Sequence, residues 1–333
     1  MFSRRLLTGF LVPLVLCASY SAGFGQARNL KHIHVGVPAI SMGNMIIFFT
    51  KEAKIFEKYG LDADVVVVNG SGIASRALVG GSIEISPIAT PTVMSAVLAG
   101  SDMVILAHTM PGVVQALMVK PEIKRTEDLK GKIIGVTTFG SLTDFLVRHL
   151  AKLKGLNPDK DFALLQIGGD AERFISLKQG KIQAAALSHP QFILAQRAGF
   201  SLFWDFFKEV EYPWSEIATT RAHIQKDRDL VMRYMRAHLE GIARFKQEPE
   251  LAKKVIKKVL RLDDDSLANE SWELFAKYRL AAPYPNIKGM KTSYEYVAAT
   301  RPDVYKHKPE EFVDSSFVEE LDKSGFIKKL YEK

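Results

Sequence analysis

The chain repeats itself. When the sequence is slid along itself by 99 residues, Gly36 falls on Gly135, Gly70 on Gly169, Leu78 on Leu177, Gly81 on Gly180, Ile83 on Ile182, Pro91 on Pro190 and Gly100 on Gly199. Self-similarity at a fixed offset marks a duplicated structural unit, so whatever one copy builds the other must build as well. Each copy reads strand, polar loop, helix, Gly-Leu, strand, glycine loop, helix, Gly, strand, Pro, helix. In the first copy these are KHIHVGVP, ISMGN, AKIFEKYGL, ADVVVV, NGSG, IASRALVGG, IEIS and TPTVMSAVLAG; in the second, KIIGVTT, FGSLT, HLAKLKGL, FALLQI, GGD, AERFISLKQG, IQAAAL and HPQFILAQRAG.

Apolar strands that alternate with helices call for a mostly parallel sheet covered on both faces, the α/β architecture, and two copies call for two lobes. In open sheets of this kind a ligand sits beyond the carboxyl ends of the strands, so two lobes facing each other enclose a cleft. The extended run VVQALMVKP leaves the first copy at about Pro121, and EIATTRAHI begins near Glu216. Two adjacent crossings of this sort behave as a hinge. The helical pattern after Thr220 then returns to the first lobe. The expected organisation is a signal segment over residues 1–27, a discontinuous lobe 1 over 28–120 and 217–333, and lobe 2 over 121–216.

The signal segment is read from MFSRR, which is basic, LLTGFLVPLVLCASY, which is apolar but short and broken by Pro13, and SAGFGQA, which ends in small residues suited to cleavage after Ala27. An anchor that crosses the membrane would need a longer unbroken run. Leu16 stands before Cys17 where a lipoprotein signal needs a small residue, so no lipid anchor is expected. Cys17 is the single cysteine, and cleavage would leave no thiol, disulfide or cysteine-bound metal.

The formal charge of +8 is compatible with an acidic ligand or a negatively charged membrane surface nearby. The basic stretch RFKQEPELAKKVIKKVLR carries Leu251, Val255, Val259 and Leu262 along one helical stripe with its lysines mostly off it, which is a solvated helix and not a nucleic-acid surface. The histidines have no zinc-helix spacing; His32 and His34 share one face of a strand and are expected to be exposed and free of metal. GSG at residues 70–72 is not the G-x-S-x-G elbow, and neither the G-x-G-x-x-G nor the P-loop pattern occurs at the glycine loops. No catalytic residue, metal or cofactor is therefore assigned.

KIFEKYGLDADVV, ALVGGSIEIS, VLAGSDMVILA, DLKGKIIGV, LKQGKIQAAALSHP and FVEELDKSGFI together resemble the nitrate, sulfonate and thiamine-precursor class of periplasmic solute-binding proteins that feed ATP-binding-cassette importers. The resemblance implies a type II periplasmic binding protein fold: α/β, two-lobed, each lobe a mostly parallel sheet flanked by helices. It also implies an extracytoplasmic monomer that closes on a small anionic or heteroaromatic solute, such as a sulfonate, taurine, nitrate, a carboxylate or a thiamine pyrimidine, and presents it to an inner-membrane permease. An exported enzyme on the same scaffold and a ligand-sensing protein are the alternatives. Fungal enzymes that make the thiamine pyrimidine are similar in fold but carry a cysteine-rich run that this chain lacks.

Helix N-termini at the strand ends offer unpaired N–H groups and short polar side chains, a setting that favours anions and polar heads. The expected ligand-binding residues are accordingly Ser41, Met42, Asn44, Ser71, Gly72, Thr90, Phe139, Gly140, Ser141, Thr143, Gly169, Asp170, Ser188, His189 and Trp214. Tyr212 is a further aromatic candidate. Arg76 and Arg173, each in the helix after a second strand, are expected at the surface. Ser141-x-x-Asp144 also reads as a plain helix cap.

Overall fold

The computed structural model describes residues 30–332, and the expected signal segment lies outside the described residues. The strands are β1 (Lys31–Val37), β2 (Leu61–Val67), β3 (Met103–Met110), β4 (Gln115–Val119), β5 (Ile133–Val136), β6 (Ala163–Gln166), β7 (Ala184–Ser188), β8 (Ser201–Asp205) and β9 (Trp214–Thr220). The duplication is present down to the register. Val35 pairs in parallel with Val65 on one side and with Ile85 on the other; Ile134 pairs with Leu164 and with Ala184 at the same separations along the chain. The helices that follow, Ser71–Val79 and Asp170–Lys178, begin and end at equivalent positions.

Each lobe is one sheet. The second runs β6-β5-β7-β4-β8. The first joins β2 and β1 through bridges at Ile85 and Ser86 to β9 and β3. In both, a single strand runs against the others: β4 lies between β7 and β8, and β9 lies between Ser86 and β3. That strand is supplied by the chain on its way into or out of the other lobe.

Here the structure departs from the expected boundaries at 120 and 216. Residues 115–119, expected as the last part of lobe 1, hydrogen-bond on both sides within the second sheet, and Trp214 to Glu216, expected in lobe 2, pair with β3 in the first. An extended apolar run looks the same as a crossing or as a strand; its pairing decides. The crossings fall at residues 111–114 and 206–213, and they touch: a side chain at Gly112 would meet the ring of Phe207.

Both faces of the inner strands are covered, so β3, β4, β7 and β9 are buried along their length while the edge strands β2, β6 and β8 stay partly exposed. In β4, Ala116 and Met118 face one core with Leu177, Ile182 and Ala195, while Leu117 and Val119 face the other. In β3, Met103 and Ile105 pack with Leu78, Ile83 and Met94, while Val104 and Leu106 turn to the main core. Alternation along a strand produces this division. The repeated glycines follow from the same packing: a Cβ at Gly36 would strike the Ile83 methyl, and one at Gly135 would strike the Ile182 methyl. The long helix Arg228–Gln247 returns to the first lobe and buries Tyr234, Met235, Leu239, Ile242 and Phe245. Among the described residues no helix is long and apolar enough to cross a membrane.

Candidate ligand-binding site

A pocket opens where the strand ends of the two lobes meet. From the first lobe it is lined by Pro38, Ala39, Ser41, Asn44, Gly70, Ser71, Pro87 to Ala89 and Trp214 to Glu216; from the second by Gln115, Thr137, Ser141 to Thr143, Asp170 and Arg173. Its free volume is about 50 Å³, room for a few waters or one compact solute. The lobes also touch directly beside it: Thr92 Oγ1 donates to the Gly140 carbonyl at 2.8 Å, and Tyr296 Oη to Asp144 at 3.4 Å.

Several helices begin at the lining, and one from each lobe shows how its first turn is used. The helix Ser71–Val79 starts after Gly70, which has φ +105° and supplies no side-chain cap, so its first N–H groups lack both intrahelical and capping partners. A Cβ at Gly70 would also strike Thr138 of the opposite lobe, so glycine serves both the backbone angle and the approach. The helix Leu142–Leu153 is capped instead. Ser141 Oγ accepts from Asp144 N–H, so the helix cap read from the sequence is present, while the Asp144 carboxylate accepts from Gly140 N–H at 3.0 Å, one residue before the cap, and Ser141 N–H is taken by the Thr138 carbonyl. Thr143 Oγ1 accepts from Thr137 N–H at 2.8 Å and donates to Thr137 Oγ1. The cap leaves the N–H groups of Leu142 and Thr143 at the pocket wall.

The charges are unequal partners. Arg173 is 1% exposed, not at the surface as expected. It is spent on structure: its guanidinium donates to Asp170, Thr137 Oγ1 and the carbonyls of Gly168 and Ala186. Asp170 in turn accepts from Ser188 N–H and Oγ. The pair is neutral as a unit. Glu216 has no cation partner among the described residues. Burial pushes its carboxyl up to about 7, and three donors converge on one oxygen, Oε1: Thr90 N–H, Thr90 Oγ1 and Tyr212 Oη. His108 extends this chain. Its Nδ1 accepts from Asn286 N–H at 2.9 Å, so Nε2 carries the proton and donates to Thr90 Oγ1. Gln115 Oε1, buried at the pocket, has no hydrogen-bond partner among the described residues and is available to a donor on a solute.

Behind the Ser41 loop lies Arg279, fully buried and without a carboxylate partner among the described residues. It donates to the carbonyls of Met42 and Gly43 and to Ser215 Oγ and Thr109 Oγ1. Ser215 Oγ donates to the same Gly43 carbonyl, and the Trp214 ring lies against Gly43 where a side chain would not fit. The loop is thereby fixed to β9. Burial pulls the Arg279 pKa down, to about 9.

Of the residues expected from the sequence, Ser41, Asn44, Ser71, Ser141, Thr143, Asp170 and Trp214 line this pocket. The others do not. Met42 is core. Thr90 lies one layer behind, holding Glu216. Gly72 is one residue past the lining, and Gly140 accepts one of the interlobe hydrogen bonds. Phe139 is 51% exposed. Gly169 opens a separate crevice with Asn69 and Arg261. Ser188 supports Asp170, and His189 is buried against Ser271, its Nδ1 3.1 Å from Ser271 Oγ. Tyr212 is buried behind Glu216. Gln115, Thr137, Arg173, Ser215 and Glu216 were missed. Trp214 to Glu216 and Gln115 lie on the two exchanged strands, and only the pairing of those strands brings them to the cleft.

A family model described as NMT1/THI5 like matches residues 44–252. A protein of Brucella abortus (strain 2308), described only as a binding protein, is 26% identical over 267 residues, covering 78% of this chain and 81% of the relative. Among solved structures, a protein of Bordetella bronchiseptica RB50 matches with a TM-score of 0.80 at 19% identity, over 89% of this chain and 98% of its own. The periplasmic aliphatic sulphonate binding protein SsuA of Escherichia coli matches with a TM-score of 0.65 at 17% identity, over 85% and 98%. These likenesses establish the two-lobed periplasmic-binding-protein fold that the sequence resemblance implied.

Proposed function

The chain belongs to the NMT1/THI5-like family, and on that premise we propose that it is the extracytoplasmic substrate-binding component of an ATP-binding-cassette importer, a monomer that closes its lobes on a compact polar solute and delivers it to an inner-membrane permease. The observation that carries this reading is the meeting of two helix N-termini, one from each lobe, at a single small pocket. Such ends attract an anionic or carbonyl head without a countercharge. No cation in the lining is free to neutralise the guest, since Arg173 is paired, so backbone N–H groups and the hydroxyls of Ser41, Ser71 and Thr143 supply the grip.

Gln115 Oε1 and Glu216 add a demand at the same wall: the solute should bring a donor as well as its acceptor head. A small amino sulfonate or amino carboxylate meets both demands, and a nitrate or simple sulfonate meets one. The binding-protein names of the relative and of the sulphonate-binding neighbour support transport over catalysis, as does a pocket whose polar groups are engaged in positioning one another.

The test is a thermal-shift panel of taurine, alkanesulfonates, nitrate, small amino acids, aromatic carboxylates and pyrimidines. A ligand that binds the native state at a hundredfold excess over Kd adds about 2.7 kcal/mol of stability. One responder recovered unchanged supports the reading; turnover of the responder, or no response from any member, counts against it.

A further inference from the structure

We propose that His32, His34 and Asp64 form a binding site for a late first-row divalent cation, zinc being the simplest case, on the outer edge of the first lobe. This is independent of the solute pocket and departs from the exposure without metal expected for these histidines. The sequence shows only that His32 and His34 share a strand face; the register supplies the rest. In the parallel β1–β2 pair, Asp62 stands opposite His32 and Asp64 opposite His34.

The side chains converge. His32 Nε2 and His34 Nε2 are 3.2 Å apart, Asp64 Oδ2 is 3.7 Å from His32 Nε2, and the three ligand atoms all lie within 4.8 Å of one another. Two nitrogens each about 2.0–2.1 Å from a tetrahedral zinc stand about 3.3 Å apart. The spacing of the imidazoles is thus already that of a zinc site, and the carboxylate, 3.7 Å from one imidazole nitrogen and within 4.8 Å of the other, would close in on the ion as it binds.

The far side of each ring also faces a carboxylate, within hydrogen-bond reach at His32 and just beyond it at His34. Asp62 Oδ2 lies 3.0 Å from His32 Nδ1, and Glu84 Oε2 lies 3.7 Å from His34 Nδ1 while accepting the His34 backbone N–H at 2.7 Å. A carboxylate at Nδ1 holds the proton there and turns the Nε2 lone pair outward, the arrangement that orients metal-bound histidines. Asp62 holds the His32 ring in this way; the 3.2 Å contact between the two Nε2 atoms is a hydrogen bond in the metal-free chain, and a cation would replace its proton and take a lone pair from each ring. Lys51 approaches the other oxygen of Asp64, Oδ1, at 3.6 Å. Both rings are close to half exposed, which gives an ion access and leaves a fourth position for water. Imidazole nitrogens select zinc, copper and nickel over magnesium and calcium.

The test is calorimetric titration of zinc chloride into the full chain without an oligohistidine tag, with cobalt(II) visible absorption as a second readout. One equivalent should bind at about micromolar affinity and cobalt should develop tetrahedral bands. His32→Gln and His34→Gln should each weaken zinc by roughly tenfold or more, and Asp62→Asn by roughly tenfold through loss of ring orientation. His307→Gln, at an exposed histidine beside Glu311, should bind as the wild type does. No zinc binding by the wild type below about 1 mM, or undiminished binding by the His32→Gln/His34→Gln double variant, overturns the site.

Discussion

Thr92 on the first lobe donates its hydroxyl to the carbonyl of Gly140 on the second, 2.8 Å away. The bond exists only while the lobes are together, so it contributes to closure and not to the stability of either lobe. Thr92→Val should weaken solute affinity by about two- to tenfold, the worth of one hydrogen bond, with the melting temperature of the solute-free protein nearly unchanged. Titration calorimetry beside thermal denaturation checks this; an equal loss of both would place the bond's contribution inside a lobe.

Gly70→Ala should do two separable things. The φ of +105° strains any side chain, which should cost about 1 kcal/mol or more of stability, and the new methyl should prop the lobes apart against Thr138. Adding Thr138→Ala removes the hydroxyl in the way. The double variant should recover much of the lost affinity but none of the lost stability. Recovery of both together would show that the clash, and not the backbone angle, carried the whole effect.

Glu216 makes binding and stability depend on pH. Its carboxyl is raised from 4.5 to about 7 by burial, so between those values the native protein holds a proton that the unfolded chain has released. That stability is complete below the lower value and is lost as pH rises through the upper one. Burial holds His108, His189 and His238 neutral, near 3, 4 and 3. They act in the opposite sense, costing stability as pH falls below the ordinary histidine range. The difference between wild type and Glu216→Gln isolates the carboxyl: the variant should gain roughly 1–3 kcal/mol relative to wild type between pH 5 and 8. Affinity for an anionic solute should also fall for the wild type above pH 7 and stay level for the variant. Parallel pH profiles for the two proteins would contradict the assignment.

Arg279→Met should be among the most damaging single changes outside the lining. It removes a buried charge that lacks a counter-ion, but it strands the carbonyls of Met42 and Gly43 and the hydroxyls of Thr109 and Ser215. A loss of about 2–4 kcal/mol is expected, measured by denaturant unfolding, together with weaker solute binding because the Ser41 loop loses its fixed position. Unchanged affinity in the folded fraction would show that the loop holds its shape without the arginine.

The duplication was legible because its landmarks are local. Gly36 with Ile83 and Gly135 with Ile182 are steric pairs that any strand-helix-strand unit of this shape must keep. Helix starts that rely on chain neighbours, such as Ser141 with Asp144, were legible for the same reason. What stayed hidden depends on partners far away in the chain. Arg173 looks like a surface cation until Ala186 and Thr137 close over it, and Gln115 and Glu216 sit on strands that carry no chemical motif. Thr90 and His189 were placed correctly at loop ends, but a position at a strand tip does not reveal whether a side chain turns toward the guest or toward the layer behind it.

The exchange of strands between the sheets has a consequence for how such a protein can be dissected. β4 sits in the middle of the second sheet and β9 in the middle of the first, so each half depends on a ribbon synthesised with its neighbour. A fragment ending at residue 110 would lack β9 and leave a gap between Ser86 and β3, and one starting at residue 121 would lack β4 and leave a gap between β7 and β8. Expressed separately, neither piece should fold; expressed together, they should find each other only if the cut spares both borrowed ribbons.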